Sequence, residues 1–350
     1  MDVLIFGDGP SARLASIALH ACCGSVVRAM PRKGLGLPAT RNHTHVTSCD
    51  IQINASVIDE GLGAALSASI EPGWQWRGDN GTGWSSYEAG RLTREAIVAV
   101  LDARLAQLAL ESWDDVTITA RHGNRLEATS REDRKVFDLV IDATGAHRAT
   151  LPMLQGLGIT TSIEDAGRPA LYQTFELALP EPAGKVHWGS VPMDEPTGAL
   201  YGDIDGRKMR LTTSIRRDMR GRLKNSEDLR SMVNERVASL IPRGAQLMGR
   251  TSTIAPQMRR LEYPVSGLPN WIALGDALAQ WAPRMGTGLG SLFRQTRLLT
   301  DAFRSGATPE AARAAVAGQL ETAWDLNLRG LKMISENQAR RAKAQGARAL

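Results

Sequence analysis

The feature that most constrains this chain lies in its first dozen residues. The apolar run Val3-Leu4-Ile5-Phe6 stops at Gly7-Asp8-Gly9-Pro10-Ser11-Ala12. A helical pattern follows over residues 13–20, then Val26-Val27. Strand, glycine turn, helix, strand is the opening unit of a parallel α/β sheet. In Gly7-x-Gly9-x-x-Ala12, Gly7 permits the tight turn and Gly9 lets a pyrophosphate approach the backbone. Ala12 lets the helix pack close, and the helix N-terminus attracts the phosphate charge. One expected group is missing. An acid about twenty residues on usually holds the adenosine ribose. Here that position is Arg28. An arginine there meets a phosphate or is a surface residue, and the adenosine contacts are altered either way.

Two further motifs end in small residues where a chain passes close to a ligand. The first is Asp138-Leu139-Val140-Ile141-Asp142-Ala143-Thr144-Gly145, a buried strand and its turn. The second begins at Asn270-Trp271-Ile272-Ala273-Leu274 and reaches Gly275-Asp276-Ala277. It continues into Pro283-x-x-Gly286-x-Gly288-x-Gly290 and a helix over residues 289–303. Asp276 at a strand end suits a ribityl hydroxyl. Pro283 and the glycines bring backbone N–H groups and a helix start against a polar ring edge.

Between these motifs the pattern changes. Residues 91–110 carry a helical period, with Ile97, Val98, Leu101, Leu105 and Leu108 on one face. Residues 116–119 alternate as a strand. From about 165 to 265, β-rich pieces at 171–177, 185–191, 199–204 and 209–214 are separated by Gly and Pro. They predict a largely antiparallel sheet, interrupted by a helix near 226–240. A last helix is expected over 309–339. The fold class is therefore α/β: a Rossmann-like nucleotide-binding domain, an inserted mainly antiparallel sheet, and C-terminal helices. The boundaries are 1–160 with 265–305, then 161–264, then 306–350. A length of 350 residues fits about two domains.

Composition removes other classes. With 43% hydrophobic and 23% charged residues the chain is neither collagen-like nor mainly disordered. No apolar run reaches the roughly 18–20 residues of a membrane span, and no secretory signal is evident. The three cysteines, Cys22, Cys23 and Cys49, form no Cys-x-x-Cys pair, so neither a disulfide framework nor a zinc site is expected. The expectation is a cytoplasmic protein. Net charge is only +5, and Arg340, Arg341, Lys343 and Arg348 at the end read as a solvated helix terminus rather than a nucleic-acid contact.

Taken in order, the three motifs resemble the FAD-binding fold of the p-hydroxybenzoate hydroxylase-like flavoproteins. That superfamily includes aromatic hydroxylases, styrene monooxygenases, flavin-dependent halogenases and geranylgeranyl reductases. The resemblance covers roughly residues 1–50, 90–155 and 265–305. It implies that FAD is the cofactor, with Gly7, Gly9, Ala12 and Arg28 at its pyrophosphate and adenosine end. It places Gly145, Gly275 and Asp276 beside the ribityl and pyrophosphate part. Pro283, Gly286, Gly288 and Gly290 would lie along the isoalloxazine, and Arg91 would contact the flavin chain. The middle sheet becomes the substrate domain.

The resemblance implies an FAD-dependent monooxygenase acting through a flavin C4a-hydroperoxide on an aromatic or electron-rich substrate, a small molecule or a peptide residue. O₂ is then the co-substrate. Two departures narrow this. The Thr144-Gly145 turn runs into Ala146-His147-Arg148 and lacks the full Asp-Gly pattern tied to NAD(P)H use, which favours a separate flavin reductase or electron donor. The halogenase Trp-x-Trp-x-Ile-Pro signature is absent, since Trp74-Gln75-Trp76-Arg77-Gly78 matches only its start and lies too early. A reductase of an unsaturated, lipid-like substrate and a flavin-binding partner protein without turnover are the alternatives.

Arg41-Asn42-His43-Thr44-His45 follows the second strand, in the loop that reaches the flavin in this superfamily. His43 and His45, with Arg41 close by, suit flavin tuning or proton donation, or else make ordinary loop hydrogen bonds. A metal site would need a third ligand, and none is suitably spaced. Tyr172, Trp188 and Trp281 are pocket candidates on the middle strands or beside Pro283, although aromatics at such positions also build cores. Trp74, Trp76 and Trp84 fall in a Gly-rich segment expected to be a lid or a surface loop.

Overall fold

A computed structural model describes residues 1–30, 44–47, 49–78, 81–167, 171–181, 189–190, 199–203, 207–215, 223–233, 235–254, 258–262, 268–281 and 287–348. The frame is a parallel sheet of five strands. Across it stand Trp271–Ala273, Leu139–Asp142, Asp2–Phe6, Ser25–Ala29 and Glu111–Trp113. Val3, Leu4, Ile5 and Phe6 are all fully buried, as are Leu139, Val140 and Ile141. Such continuous apolar runs are what a strand covered on both faces demands. The register sets Phe6 level with Ala29 on one side and Asp142 on the other, and Asp142 level with Ala273. Four strands therefore end at one height.

Helices cover one face. Pro10–His20 starts with Pro in its first turn, where the fixed φ suits a helix and no N–H is missed. It buries Leu14, Ile17 and Ala18 in a cluster with Ile97, Leu101 and Phe293 from the helices Arg94–Leu105 and Thr287–Arg304. The same cluster takes Ile51, Ile58, Leu62 and Leu66 from Cys49–Ile58 and Glu60–Ser69. The sequence pattern does not announce these two helices. They cross so closely that a Cβ on Gly63 would fall 2.0 Å from Ser56 Oγ, a requirement no local pattern reveals. On the other side Phe137, Trp271, Trp281 and Trp324 share a core, Trp324 coming from the long helix Pro309–Arg348.

The second large sheet has eight strands. Their order is Gln246–Ile254, Leu171–Ala178, Lys208–Ile215, Ala199–Asp203, Gly189–Ser190, Glu71–Gly78, Gly81–Thr93 and Thr44–Thr47. All its pairs are antiparallel except Gly189–Ser190 with Glu71–Gly78. Phe175, Leu177, Met209 and Leu211 pack against Leu229 and Val237 on one face. The expected antiparallel sheet is present, but it is not confined to 161–264, because three of its strands come from residues 44–93. The segment with Trp74, Trp76 and Trp84 is neither lid nor loop. It is a hairpin with Gln75 opposite Trp84, joined to the insert by a parallel pair that spans over a hundred residues of chain.

Three boundaries also differ from expectation. The expected helix at 226–240 is two helices, Ser226–Met232 and Glu235–Leu240, the first closed by a capping box between Asn225 and Asp228. The helix expected from 91 starts at Arg94, because the Thr93 hydroxyl accepts the Ala96 N–H at 3.1 Å and caps it there. The last helix runs on to Arg348, with Arg340 exposed; the side chains of Arg341, Lys343 and Arg348 lie outside the described residues. Among the described residues no helix is long and apolar enough to cross a membrane.

Candidate active site at the carboxyl ends of the parallel strands

The chain enters the sheet at Asp2–Phe6 and moves outward through Ser25–Ala29 to Glu111–Trp113. It then returns to the opposite side at Leu139–Asp142. The order reverses between Asp2–Phe6 and Leu139–Asp142. A crevice outside the carboxyl ends of the strands at such a reversal is where open α/β sheets bind ligands. The two turns at that point are Gly7-Asp8-Gly9 and Ala143-Thr144-Gly145.

They touch. Gly7 has φ +127°, and a Cβ there would lie 2.5 Å from the Ala143 carbonyl oxygen. Gly7 N–H donates to Ala29 O at 3.0 Å, and Ala143 N–H donates to Phe6 O at 2.9 Å. Gly9 differs. Its φ is −82°, and a Cβ would meet nothing within 4 Å, so the space over it is open. Gly9 caps the helix without a side-chain bond, and the first turn of that helix carries no acid. The N–H groups of a helix start are left without intrahelical partners. Ala12 is fully buried beneath.

The third motif closes the crevice. Leu274 N–H donates to Asp142 O at 2.9 Å, so the turn after Trp271–Ala273 rides beside the turn after Leu139–Asp142. Gly275 has φ +60°, and a Cβ on it would lie 2.3 Å from Ser11 Oγ. Gly275 N–H donates to the fully buried Gln295 side chain at 2.9 Å. Gly288 and Gly290 stand in the first turn of Thr287–Arg304, the helix that carries Gln295. A Cβ on Gly288 would rest 3.7 Å from Trp281.

Electrostatics concentrate at Asp276. The residue is exposed to solvent and stands beside two arginines. Burial pushes its carboxyl up, while the charges of Arg94 and then Arg148 pull it down. Arg94 is the first residue of its helix. Burial lowers its guanidinium, with Asp276 acting the other way. Arg148 is 4% exposed and takes a left-handed backbone at φ 49°. Its Nε donates to Ala277 O at 2.8 Å, while its Nη2 is buried with no hydrogen-bond partner among the described residues.

Beneath lies Asp142, fully buried. It accepts from Thr144 N–H at 2.9 Å, from the Thr144 hydroxyl at 2.6 Å and from the Thr150 hydroxyl, and Trp271 Nε1 donates to Thr150 Oγ1 at 3.2 Å. Desolvation pushes the Asp142 carboxyl up against these bonds. This network ties the second and third strand ends together.

Of the residues singled out from sequence, Gly7, Gly9, Ala12, Gly145, Gly275, Asp276, Gly288 and Gly290 belong to the turns and helix starts at these strand ends, and Arg28 is the penultimate residue of the strand Ser25–Ala29. Gly145 has φ +70° and opens a short 3₁₀ turn. His45 and Arg91 sit on paired strands, His45 opposite Leu92 and Arg91 opposite Val46. Arg41, His43, Trp188, Pro283 and Gly286 lie outside the described residues. Tyr172 is 2% exposed on the second sheet, and Trp281 packs at 5.9 Å against Trp324 in the core.

Sequence reading passes over Arg94, Arg148 and Gln295. Arg94 has a local signal, since it directly follows a Thr that can cap a helix. Arg148 and Gln295 have none, because their partners lie 129 and 20 residues away. Among the described residues no group of three or more His, Cys, Asp or Glu is placed to hold a metal.

No family model and no curated protein matches the chain. Solved structures do. The flavin-dependent brominase Bmp2 superposes with a TM-score of 0.69 at 16% identity, over 99% of this chain and 92% of that one. A single-residue variant of Klebsiella pneumoniae HpxO, complexed with FAD, gives 0.68 at 14% over 99% and 93%. The Pseudomonas aeruginosa protein pqsL, described as a probable FAD-dependent monooxygenase, gives 0.67 at 17% over 99% and 98%. The chain has the fold these flavoproteins share: a Rossmann-like parallel sheet with a second, mainly antiparallel sheet and C-terminal helices.

Proposed function

We propose that this chain is an FAD-dependent monooxygenase that transfers one atom of O₂ to an aromatic or electron-rich substrate, either a small molecule or a residue of a peptide. The observation that carries the reading is the meeting of three close-packed turns at the reversal point of the parallel sheet. Its fold is that of a structure complexed with FAD and of a probable FAD-dependent monooxygenase. The residues fit a dinucleotide. Gly7 must be bare for the turn to close, and Gly9 leaves open the space a pyrophosphate needs. The helix end beyond carries no acid to repel it.

In this reading FAD, when bound, supplies the electron-transfer and oxygen chemistry. The chain's own groups bind and orient. Gly9 and the N–H groups at the start of the following helix hold the pyrophosphate, with Ala12 keeping that helix close. Gly145, Gly275 and Asp276 would flank the ribityl chain, and Arg94 and Arg148 balance the charge of Asp276. Arg91 is a further contact of that chain. Gly288 and Gly290 would lie along the ring, and Pro283 and Gly286 are assigned the same role from sequence. His43 and His45, with Arg41 close in sequence, would tune the flavin or move a proton to the substrate. Trp188 would stand on the substrate side, where apolar walls keep water away, and Tyr172 and Trp281 would support that side from buried positions. Residues 1–160 with 265–305 form the flavin-binding part and 161–264 the substrate part, with three strands from residues 44–93 completing the substrate sheet. Electrons would come from a separate flavin reductase or another electron donor, and the cytoplasm is the proposed compartment.

The deciding experiment is an absorbance titration with FAD, oxidised in air and reduced without O₂. Binding in either state, followed by substrate-dependent O₂ uptake that places one labelled oxygen atom in the product, supports the proposal. Binding only when reduced specifies a partner reductase. Absence of binding in both states overturns the reading. Turnover that proceeds fully without O₂ overturns the oxygenase and favours a reductase.

A further inference from the structure

The adenosine end of the glycine turn is built differently from the usual dinucleotide fold. At the end of the second strand, where an acid ordinarily accepts the ribose hydroxyl, stands Arg28. Its guanidinium does not stand open there. Arg28 Nη2 lies 3.3 Å from Asp8 Oδ1, and Arg13 Nη1 lies 3.0 Å from the same oxygen. Asp8 is the middle residue of the Gly7-Asp8-Gly9 turn. Arg13 is further engaged by Asp102 at 2.6 Å. The exposures are unequal. The side chains of Arg13 and Arg28 are 14% and 19% exposed, and that of Asp8 is 50% exposed. Arg28 Nε is buried without a hydrogen-bond partner among the described residues. The two cations lie underneath, and the carboxylate is the group presented outward.

Resting on the dinucleotide reading above, we infer that Asp8, in the glycine turn, supplies the carboxylate that holds the adenosine ribose, with Arg28 as its positioning residue. The acid has moved from the strand end to the turn beside it, and an arginine fills the place it left. Both arginines grip Oδ1, which leaves Oδ2 to accept a hydroxyl. The charge balance agrees. Arg13 and Arg28 are matched by Asp8 and Asp102, so this cluster of described residues has no surplus cation for a phosphate on the ribose. An unshielded acid in this turn would repel a pyrophosphate. With two guanidinium groups against it, Asp8 is tolerated there.

The test is calorimetric binding of ADP, 2′-deoxy-ADP and adenosine 2′,5′-bisphosphate, with FAD as reference. The proteins are wild type, Asp8→Asn, Arg28→Gln and the double variant Asp8→Ala/Arg28→Glu, each with its melting temperature. Wild type is expected to prefer ADP over the deoxy compound by about tenfold, the scale of one hydrogen bond to a charged group. Asp8→Asn brings the ratio close to one, and Arg28→Gln reduces it. The double variant, which returns the acid to the strand end, restores it.

Equal affinities in wild type, an undiminished ratio in Asp8→Asn, or tighter binding of the bisphosphate than of ADP overturns the inference. The last outcome would mean that the guanidinium faces the ligand. If Asp8→Asn fails to fold, the wild-type ratio and the double variant decide. Failure of wild type to bind either FAD or ADP is a different result and overturns the dinucleotide reading itself.

Discussion

Gly7 and Ala143 are in contact across the reversal point of the sheet, so closely that a Cβ on Gly7 would fall 2.5 Å from the Ala143 carbonyl oxygen. The backbone at Gly7 also has φ +127°, which L residues rarely adopt. Gly7→Ala is therefore expected to cost about 3 kcal/mol, combining backbone strain with overpacking. Gly9→Ala is the control within the same turn. It meets nothing within 4 Å at an ordinary φ, so stability should change by less than about 0.5 kcal/mol. Its Cβ would instead occupy the space over the helix start, and FAD affinity should fall. Denaturant unfolding and flavin titration of the two variants separate the folding glycine from the binding one.

Gly275 and Ser11 couple the third motif to the first. A Cβ on Gly275 would lie 2.3 Å from Ser11 Oγ. Gly275→Ala should destabilise by about 3 kcal/mol through this clash and the left-handed φ of +60°. Adding Ser11→Gly removes the hydroxyl but not the φ cost. A double-mutant cycle should then return a favourable coupling of about 1 kcal/mol. Strict additivity would show that the two turns do not meet.

Arg94 carries a cation that burial disfavours, beside Asp276. Arg94→Gln removes that cost and, with it, a charge facing the cleft. The variant is expected to unfold at the same or a higher denaturant midpoint than wild type while binding FAD more weakly. Loss of stability together with unchanged FAD affinity would make Arg94 a purely structural residue.

Asp59 caps the helix Glu60–Ser69 by accepting the Leu62 N–H at 2.8 Å, and it pairs with Arg104 at 2.7 Å. Burial raises its carboxyl, but the hydrogen bonds from Arg104 and Leu62 outweigh this and leave it below the ordinary 3.8. A depressed folded pKa stabilises above the unfolded value, and the gain is lost as pH falls through the folded one. Asp59→Ala should cost about 1–2 kcal/mol at neutral pH, mostly through the lost cap, since the ion pair is partly exposed. The penalty should shrink once pH drops below about 3.8. Urea unfolding of both proteins from pH 7 downward measures it, and a pH-independent difference would count against the carboxylate.

The glycine turns are legible in sequence because each depends on chemistry its own few residues carry. Gly7, Gly145 and Gly275 stand where strands must turn sharply, and all three have positive φ. The strand order of the second sheet is not legible. Ser190 pairs with Trp76 across more than a hundred residues, and neither residue carries a mark of the other. The helix start at Arg94 lies three residues beyond the sequence expectation. Only the capping geometry of Thr93 fixes the boundary.

The sequence by itself determined the parallel sheet and the positions of its three glycine turns. Apolar runs, glycines and a proline at a helix start act locally. Tertiary structure alone decided that the three turns converge, and that Arg94 and Arg148 flank Asp276. It also decided that the Asp8 carboxylate is set against Arg13 and Arg28. Each of these depends on which side of a strand the chain returns to. That choice is made by burial summed over the whole sheet, a sum that no short stretch of sequence contains.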